Sequence, residues 1–241
     1  MYFFNLINKD HITRVLDIGC GTGALLPDLE ALSPGKIIGA DIDLEHLLLA
    51  STHSPDADLL GANVHRLPFP ENSFDIVLCH YFLMWAGDAQ HALQEMGRIT
   101  RPGGTVVAFA EPDYGGRIDH PPQFTPIRDL QIAALQKAGA DPLLGRKLRG
   151  MFWEAGFTDI EAGVYQGSLS RETTQEEIES EWKVLAADLA DFLSDKELEE
   201  FQQHELSSRQ KGTRLVYVPT FFTWGKVSDQ NSGDPEPFKQ V

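Results

Sequence analysis

The sequence has little cysteine, a deficit of positive charge and no long apolar run. Only Cys20 and Cys79 occur in 241 residues. That is too few for a disulfide framework or a thiolate metal set, so a reducing cytoplasm and no bound metal are expected. Lysine and arginine number 20 against 36 acids, a formal charge of −16, and no basic run breaks the imbalance. Nucleic-acid binding depends on neutralising phosphates with Lys and Arg. DNA, tRNA and anionic membranes are therefore poor partners, and a small molecule is expected. No stretch approaches the roughly 20 apolar residues of a membrane span. Tyr2 to Ile7 is apolar but short, with no basic flank and no small-residue cleavage site after it, so no signal peptide is expected. Hydrophobic residues at 42% suffice for one domain of ordinary size.

What the chain does have is Val15-Leu16-Asp17-Ile18-Gly19-Cys20-Gly21-Thr22-Gly23, followed at once by the helical pattern Ala24 to Leu29. A strand, a tight turn and a helix start in this order let backbone N–H groups approach a ligand. Each glycine is expected to remove a Cβ that would block the ligand or forbid the turn. Pro27 is tolerated in the first turn of a helix, where its N–H would have no acceptor. A P-loop needs Gly-Lys-Ser/Thr, and the absence of lysine here argues against nucleoside triphosphates. Read as Gly19-x-Gly21-x-x-Ala24, the turn meets the loose dinucleotide fingerprint. Gly23 and Asp17 go further: the stretch resembles motif I of the class I S-adenosylmethionine-dependent methyltransferases, Asp/Glu-x-Gly-x-Gly-x-Gly, without gap or substitution. The resemblance implies S-adenosyl-L-methionine as cofactor and Asp17, Gly19, Cys20, Gly21 and Gly23 as cofactor-binding residues. A purely structural glycine turn is the alternative.

Lys36 to Asp41 reads as a buried strand ending in an acid. Asp41 lies eighteen residues beyond Gly23, about where an acid on the second strand meets a ribose diol. Asp43 suits the N-cap of the next helix better. In proteins that this one resembles, the residue after the acid packs on adenine, here Ile42. A third strand is expected over 57–64. Leu67-Pro68-Phe69 with Phe74-Asp75 resembles the Leu-Pro-Phe-x-x-x-x-Phe-Asp stretch of the ubiquinone/menaquinone-biosynthesis methyltransferases. Those proteins usually carry aspartate on the adenine amino group at a position that Asn63 holds here, followed by Val64. An asparagine oxygen accepts the same bond. The fourth strand, 74–79, ends at His80-Tyr81-Phe82 without the Asn/Asp-Pro-Pro-Tyr of amino-methylating enzymes on bases. The two cysteines likewise argue against an arsenite methyltransferase. Arg101-Pro102-Gly103-Gly104 resembles the family's turn into strand five, and 105–110 then delivers Glu111, Asp113 and Tyr114. An open parallel sheet binds ligands beyond the carboxyl ends of its strands, and every such end here is polar or glycine.

The expected fold is α/β and Rossmann-like: a seven-stranded, mainly parallel sheet with an antiparallel last strand, helices on both faces and a helical insertion before that strand. Asp88 should cap a helix with Leu93, Met96 and Ile99 on its apolar face. Thr125-Pro126 should open another, and one ending at Gly156 should precede strand six, 157–169. Thr173-x-x-Glu176 and Ser194-x-x-Glu197 read as capping boxes for two helices in 171–210, a stretch with twelve acids and four bases. That charge is expected to mark a solvated face; the sharper alternative is that the hairpin is an inserted lid, since 214–227 resumes as the last strand. The domain is expected over 1–227, with a disordered tail from Ser228. Only fourteen residues precede Val15, so the pocket needs another roof, with a partner subunit in a homodimer as one option. His80 is the expected general base or an orienter of the methionine end, with Glu111, Asp113 and His120 as rivals. Trp85, Tyr114 and Trp153 are candidates to face the sulfonium, although Trp153 is expected to be buried in packing. The reaction expected is methyl transfer to oxygen, nitrogen or carbon of a small neutral or cationic acceptor. The rival readings are a nicotinamide-dependent oxidoreductase and a non-catalytic cofactor-binding module.

Overall fold

Val15, Leu16 and Ile18 are almost wholly buried, which is why the Arg14–Ile18 segment becomes the centre of the fold rather than an edge. In the computed structural model, which describes residues 12–165 and 174–228, this segment is β1. It pairs in parallel with β2 (Lys36–Asp41) on one side and β4 (Phe74–His80) on the other. β3 (Asp58–Gly61), β5 (Thr100–Pro112), β7 (Phe157–Tyr165) and β9 (Thr220–Val227) complete a seven-stranded sheet in the order β3-β2-β1-β4-β5-β9-β7. The sheet is mainly parallel with an antiparallel last strand, as the sequence predicts. The chain runs outward from β1 to β3 and returns to β4 on the other flank. The topological switch therefore falls between β1 and β4, the place where such sheets open a crevice.

The chain folds into two compact units. The first runs to Glu111, takes in Lys147–Gly163 and resumes at Phe222; the second comprises Pro112–Arg146 and Val164–Phe221. The first holds the large sheet with α1 (Leu26–Leu32), α2 (Leu44–His53), α3 (Ala89–Ile99) and α5 (Leu148–Glu154); the second holds α4 (Thr125–Lys137), α6 (Gln175–Leu189), α7 (Asp195–Gln210) and a ribbon of β6 (Ile118–His120) with β8 (Leu215–Tyr217). The expected 171–210 hairpin thus belongs to the same unit as 112–146. In the first unit Val15, Leu26, Leu29, Ile37, Ile76 and Leu78 form one cluster, each large apolar side chain contributing about 1.5–3 kcal/mol by burial. In the second, Phe124, Ile127 and Leu189 form a smaller one.

Most local expectations hold. Asp43 caps α2 by accepting the N–H of Glu45 and His46, Asp88 caps α3 through His91, and Leu93, Met96 and Ile99 are buried. Gly156 follows the end of α5 at φ +83°. Five expectations shift. β3 stops at Gly61 because Asn63 caps a 3₁₀ turn, Val64–Arg66. β5 begins at Thr100: Phe74 pairs with Thr100 and Ile76 with Thr105, so the Arg101–Gly104 turn loops out as a bulge within the strand, with Gly103 at φ +72°. Phe124, not Thr125, is the N-cap of α4. The box opening α6 is Thr174 with Glu177, one residue later than expected. The 214–227 stretch is two strands: Pro219 has no N–H for a ladder, and its carbonyl accepts from Asp113 N at 2.8 Å. Tyr2 to Ile7, Thr173, the end of strand six and the tail beyond Ser228 lie outside the described residues. Among those described, no helix is long and apolar enough to cross a membrane.

Candidate functional site

The turn after β1 is held by backbone bonds. The N–H groups of Gly19 and Cys20 donate to the Ala40 carbonyl at 2.7 and 3.2 Å, and Gly23 N donates to Cys20 O at 2.9 Å. His53, at the end of α2, donates from Nδ1 to Thr22 O at 2.8 Å. Gly19, Gly21 and Gly23 all have positive φ, as the tight turn requires. Their missing side chains serve different ends. A Cβ on Gly19 would fall 2.0 Å from Cδ2 of Phe82, and one on Gly23 would fall 2.9 Å from the Ala50 Cβ. A Cβ on Gly21 would meet nothing within 4 Å. All three thus meet the expectation that the turn's dihedrals need glycine; beyond that, Gly19 and Gly23 make room for the protein, and of the three Gly21 alone faces open space.

Beside the turn, Asp41 Oδ2 accepts Gly21 N–H at 2.8 Å and Oδ1 accepts Asp43 N–H at 2.9 Å. A carboxylate offers about four lone-pair directions, so each oxygen keeps one for a further donor. Ile42 follows, 71% exposed. Asp17 lies in β1 opposite Gly39 and Leu78. It is buried, with Oδ1 lacking a partner among the described residues. Burial and the nearby Asp41 charge raise its pKa from 3.8 to about 8. Burial, with Asp17 and Asp41 adding to it, pushes the Cys20 thiol up to about 12, so this cysteine is no nucleophile near neutrality. Asn63 gives its oxygen to His65 N–H at 2.9 Å, and Val64 is buried.

His80 ends β4 as an exposed residue with its ring stacked on Phe109 at 5.6 Å; partial desolvation lowers its pKa below the ordinary 6.5. Glu111 is fully buried. Its Oε1 accepts the N–H groups of Phe82 and Leu83 at 2.9 and 2.7 Å, and Oε2 that of Met84 at 3.3 Å. Burial raises its pKa despite these bonds. The expectation of Glu111 as a proton acceptor is therefore corrected: its oxygens hold the 82–84 backbone. Asp113, in the second unit, is also committed, forked by Arg146 at 2.5 and 2.7 Å. Nothing in the sequence marks a partner thirty-three residues away. His120 lies in β6 and Tyr114 is buried in the second unit, whereas Trp153, expected inside, is 43% exposed. Phe82 escaped the sequence reading, since only the fold brings it to Gly19.

A tight turn with one open glycine, an acid at the second strand tip and a buried carboxyl group sit on a sheet whose order includes 3-2-1-4-5, the doubly wound class whose strand ends hold ligands. Comparison with known proteins narrows it. A family model described as a methyltransferase domain matches residues 16–108. Demethylmenaquinone methyltransferase of Geobacillus kaustophilus is 35% identical over 173 residues, covering 63% of this chain and 74% of that protein. An uncharacterized methyltransferase of Schizosaccharomyces pombe is 33% identical over 150 residues, covering 57% and 54%. The YcgJ protein of Bacillus subtilis shares the fold at TM-score 0.61 and 17% identity, over 95% of this chain and 97% of that one. The chain belongs to the class I S-adenosylmethionine-dependent methyltransferases. It spans about half the length of several curated relatives it matches, 54% for the S. pombe protein and 44% for demethylmenaquinone methyltransferase of Renibacterium salmoninarum.

Proposed function

We propose that the protein transfers a methyl group from S-adenosyl-L-methionine to a small neutral or cationic molecule. The observation that carries this reading is the Gly21 turn: Gly21 meets no atom where a side chain would be, and its N–H donates to Asp41 Oδ2 at 2.8 Å, which sets that acid at the tip of β2 beside the turn. The residues fit the cofactor: Asp41 has a lone pair left on each oxygen for a ribose diol, Ile42 offers an apolar face to adenine, and Asn63 keeps a lone pair and its amide N–H groups for the base edge. Gly21 presents backbone to the open space, Gly19, Cys20 and Gly23 hold the turn that carries it, and Val64 is the buried residue of the turn that Asn63 caps. When bound, the cofactor supplies a methyl carbon activated by positive sulfur, and positioning for in-line displacement does much of the work.

His80 is neutral near pH 7, because its pKa lies below 6.5, and in this state takes a proton from an acceptor hydroxyl or amine. Glu111 acts through the 82–84 backbone as a positioning residue. In the same reading two unpaired, buried cysteines fit a reducing cytoplasm. The names of the Geobacillus and Renibacterium relatives make demethylated quinones the first acceptors to try. Incubation with methyl-labelled cofactor and a panel of quinones, phenols and amines is expected to label at least one acceptor. Binding of S-adenosylhomocysteine with no transfer to any acceptor favours a binding module instead.

A further inference from the structure

The second unit contains a cavity of about 600 Å³, within the roughly 300–1,000 Å³ range of small-molecule sites. Its apolar wall comes from the stripe Ile178, Trp182 and Leu185 on α6, with Val216 and Val218 opposite. That stripe continues to Leu189, which is fully buried against Phe124 and Ile127. One face of a single helix thus packs into a core at its C-terminal end and stays half-exposed at its N-terminal end, where it lines the cavity. An amphipathic helix normally buries its whole apolar face.

The polar side is a locked ion network. Arg117 grips Asp119 with Nε and Nη2 and donates Nη1 to Gln131 Oε1 at 2.5 Å. Arg214 joins Asp119 to Glu205 at 2.8 and 2.5 Å, and Arg209 joins Glu205 to Glu181, each at 2.8 Å. The side chains of Arg117, Arg214, Asp119 and Glu205 are all less than a tenth exposed. Among the lining residues the guanidiniums of Arg117, Arg209 and Arg214 stand against the carboxylates of Glu177, Glu181 and Glu205, with Asp119 and Asp188 behind them. An anionic ligand would displace carboxylates that already hold the arginines, and a cationic one would meet three fixed guanidiniums. Arg117 spends three of its five N–H groups and Arg209 two in these bonds, which leaves donors for a neutral oxygen.

We propose that this cavity is a binding site for an uncharged, ring-bearing small molecule that stacks on Trp182 and accepts a hydrogen bond, through a carbonyl or ether oxygen, from Arg117 or Arg209. The assignment does not depend on the methyl-transfer reading.

The test is fluorescence titration of the full chain with Prodan, a neutral naphthalene ketone whose emission shifts to the blue in apolar sites, alongside the anionic anilinonaphthalene sulfonate. Saturable Prodan binding is expected, with the sulfonate about tenfold weaker or more. Trp182→Ala removes the stacking face. Ser180→Trp fills the cavity from an exposed lining position without removing a packed atom. Each should weaken Prodan about tenfold while leaving S-adenosylhomocysteine affinity unchanged. Asp41→Ala should do the reverse. Absence of Prodan binding, binding that survives Ser180→Trp in a folded protein, or preference for the sulfonate overturns the cavity assignment. Loss of S-adenosylhomocysteine binding in the parent protein would count against the cofactor reading alone.

Discussion

Gly21 donates its backbone N–H to Asp41 Oδ2 at 2.8 Å, and this bond joins the turn after β1 to the tip of β2. One carboxylate thereby shapes the loop and presents the remaining lone pairs proposed for the ribose. Asp41→Ala should weaken S-adenosylhomocysteine binding by about 10- to 100-fold, roughly 1.4–2.8 kcal/mol. Asp41→Asn, which keeps one acceptor oxygen, should lose less. Calorimetry on both variants checks this, and wild-type affinity in Asp41→Ala removes the ribose assignment.

The turn glycines separate stability from binding. Gly19→Ala drives a Cβ into the Phe82 ring and should lower stability by about 1–3 kcal/mol, the usual cost of overpacking. Gly21→Ala meets no atom and should cost only the about 1 kcal/mol of a left-handed residue, yet it should abolish cofactor binding. Urea denaturation and calorimetry on the pair give the comparison; equal destabilisation with equal binding would undo the distinction.

Two buried acids give opposite pH dependences. Asp17 has a folded-state pKa raised by burial and Asp41 to about 8 from 3.8. Its burial is least costly below 3.8, and stability declines as pH rises from there through about 8. Asp75 is raised by burial, but bonds from Thr13, Arg101 and Arg14 outweigh it and bring its pKa down to about 2. Its contribution is present above 3.8 and is lost as pH falls toward 2. Asp17→Asn should therefore flatten the alkaline limb of a stability–pH curve, and Asp75→Asn the acid limb. Denaturation across the pH range distinguishes the two.

His80 and Glu111 should fail in different ways. With the His80 pKa below 6.5, kcat/KM should rise with pH through that lower value and level off near neutrality; His80→Gln should lose the rise and about 10²–10⁴-fold in rate if an acceptor proton is removed. Glu111→Ala strands three buried N–H groups and should cost several kcal/mol of stability, each unsatisfied group being worth about 1–3 kcal/mol. Melting curves beside rate–pH profiles show which residue moves which readout. An unchanged profile in His80→Gln assigns it to orientation instead.

What the sequence makes legible follows from locality. The β1 turn and the Asp43 and Asp88 caps depend on contiguous residues and could be read from them. Glu111 looked like a base because its neighbours in sequence do not reveal that the 82–84 backbone folds onto it. Asp113 needed Arg146, and Gly19 needed Phe82, each supplied from a distant part of the chain. The 214–227 segment read as one strand because its apolar pattern is continuous; the break comes from Pro219 and the Asp113 N–H that its carbonyl receives. Buried polar partners and close side-chain approaches are tertiary facts, and they decide the roles at this site.

Isothermal titration of the full chain with S-adenosylhomocysteine, and separately with NADH, tests the central claim most directly. One site per chain for S-adenosylhomocysteine, lost in Asp41→Ala, with no heat from NADH, is the predicted result. Binding of NADH at a site that Asp41→Ala destroys, with none for S-adenosylhomocysteine, would contradict it.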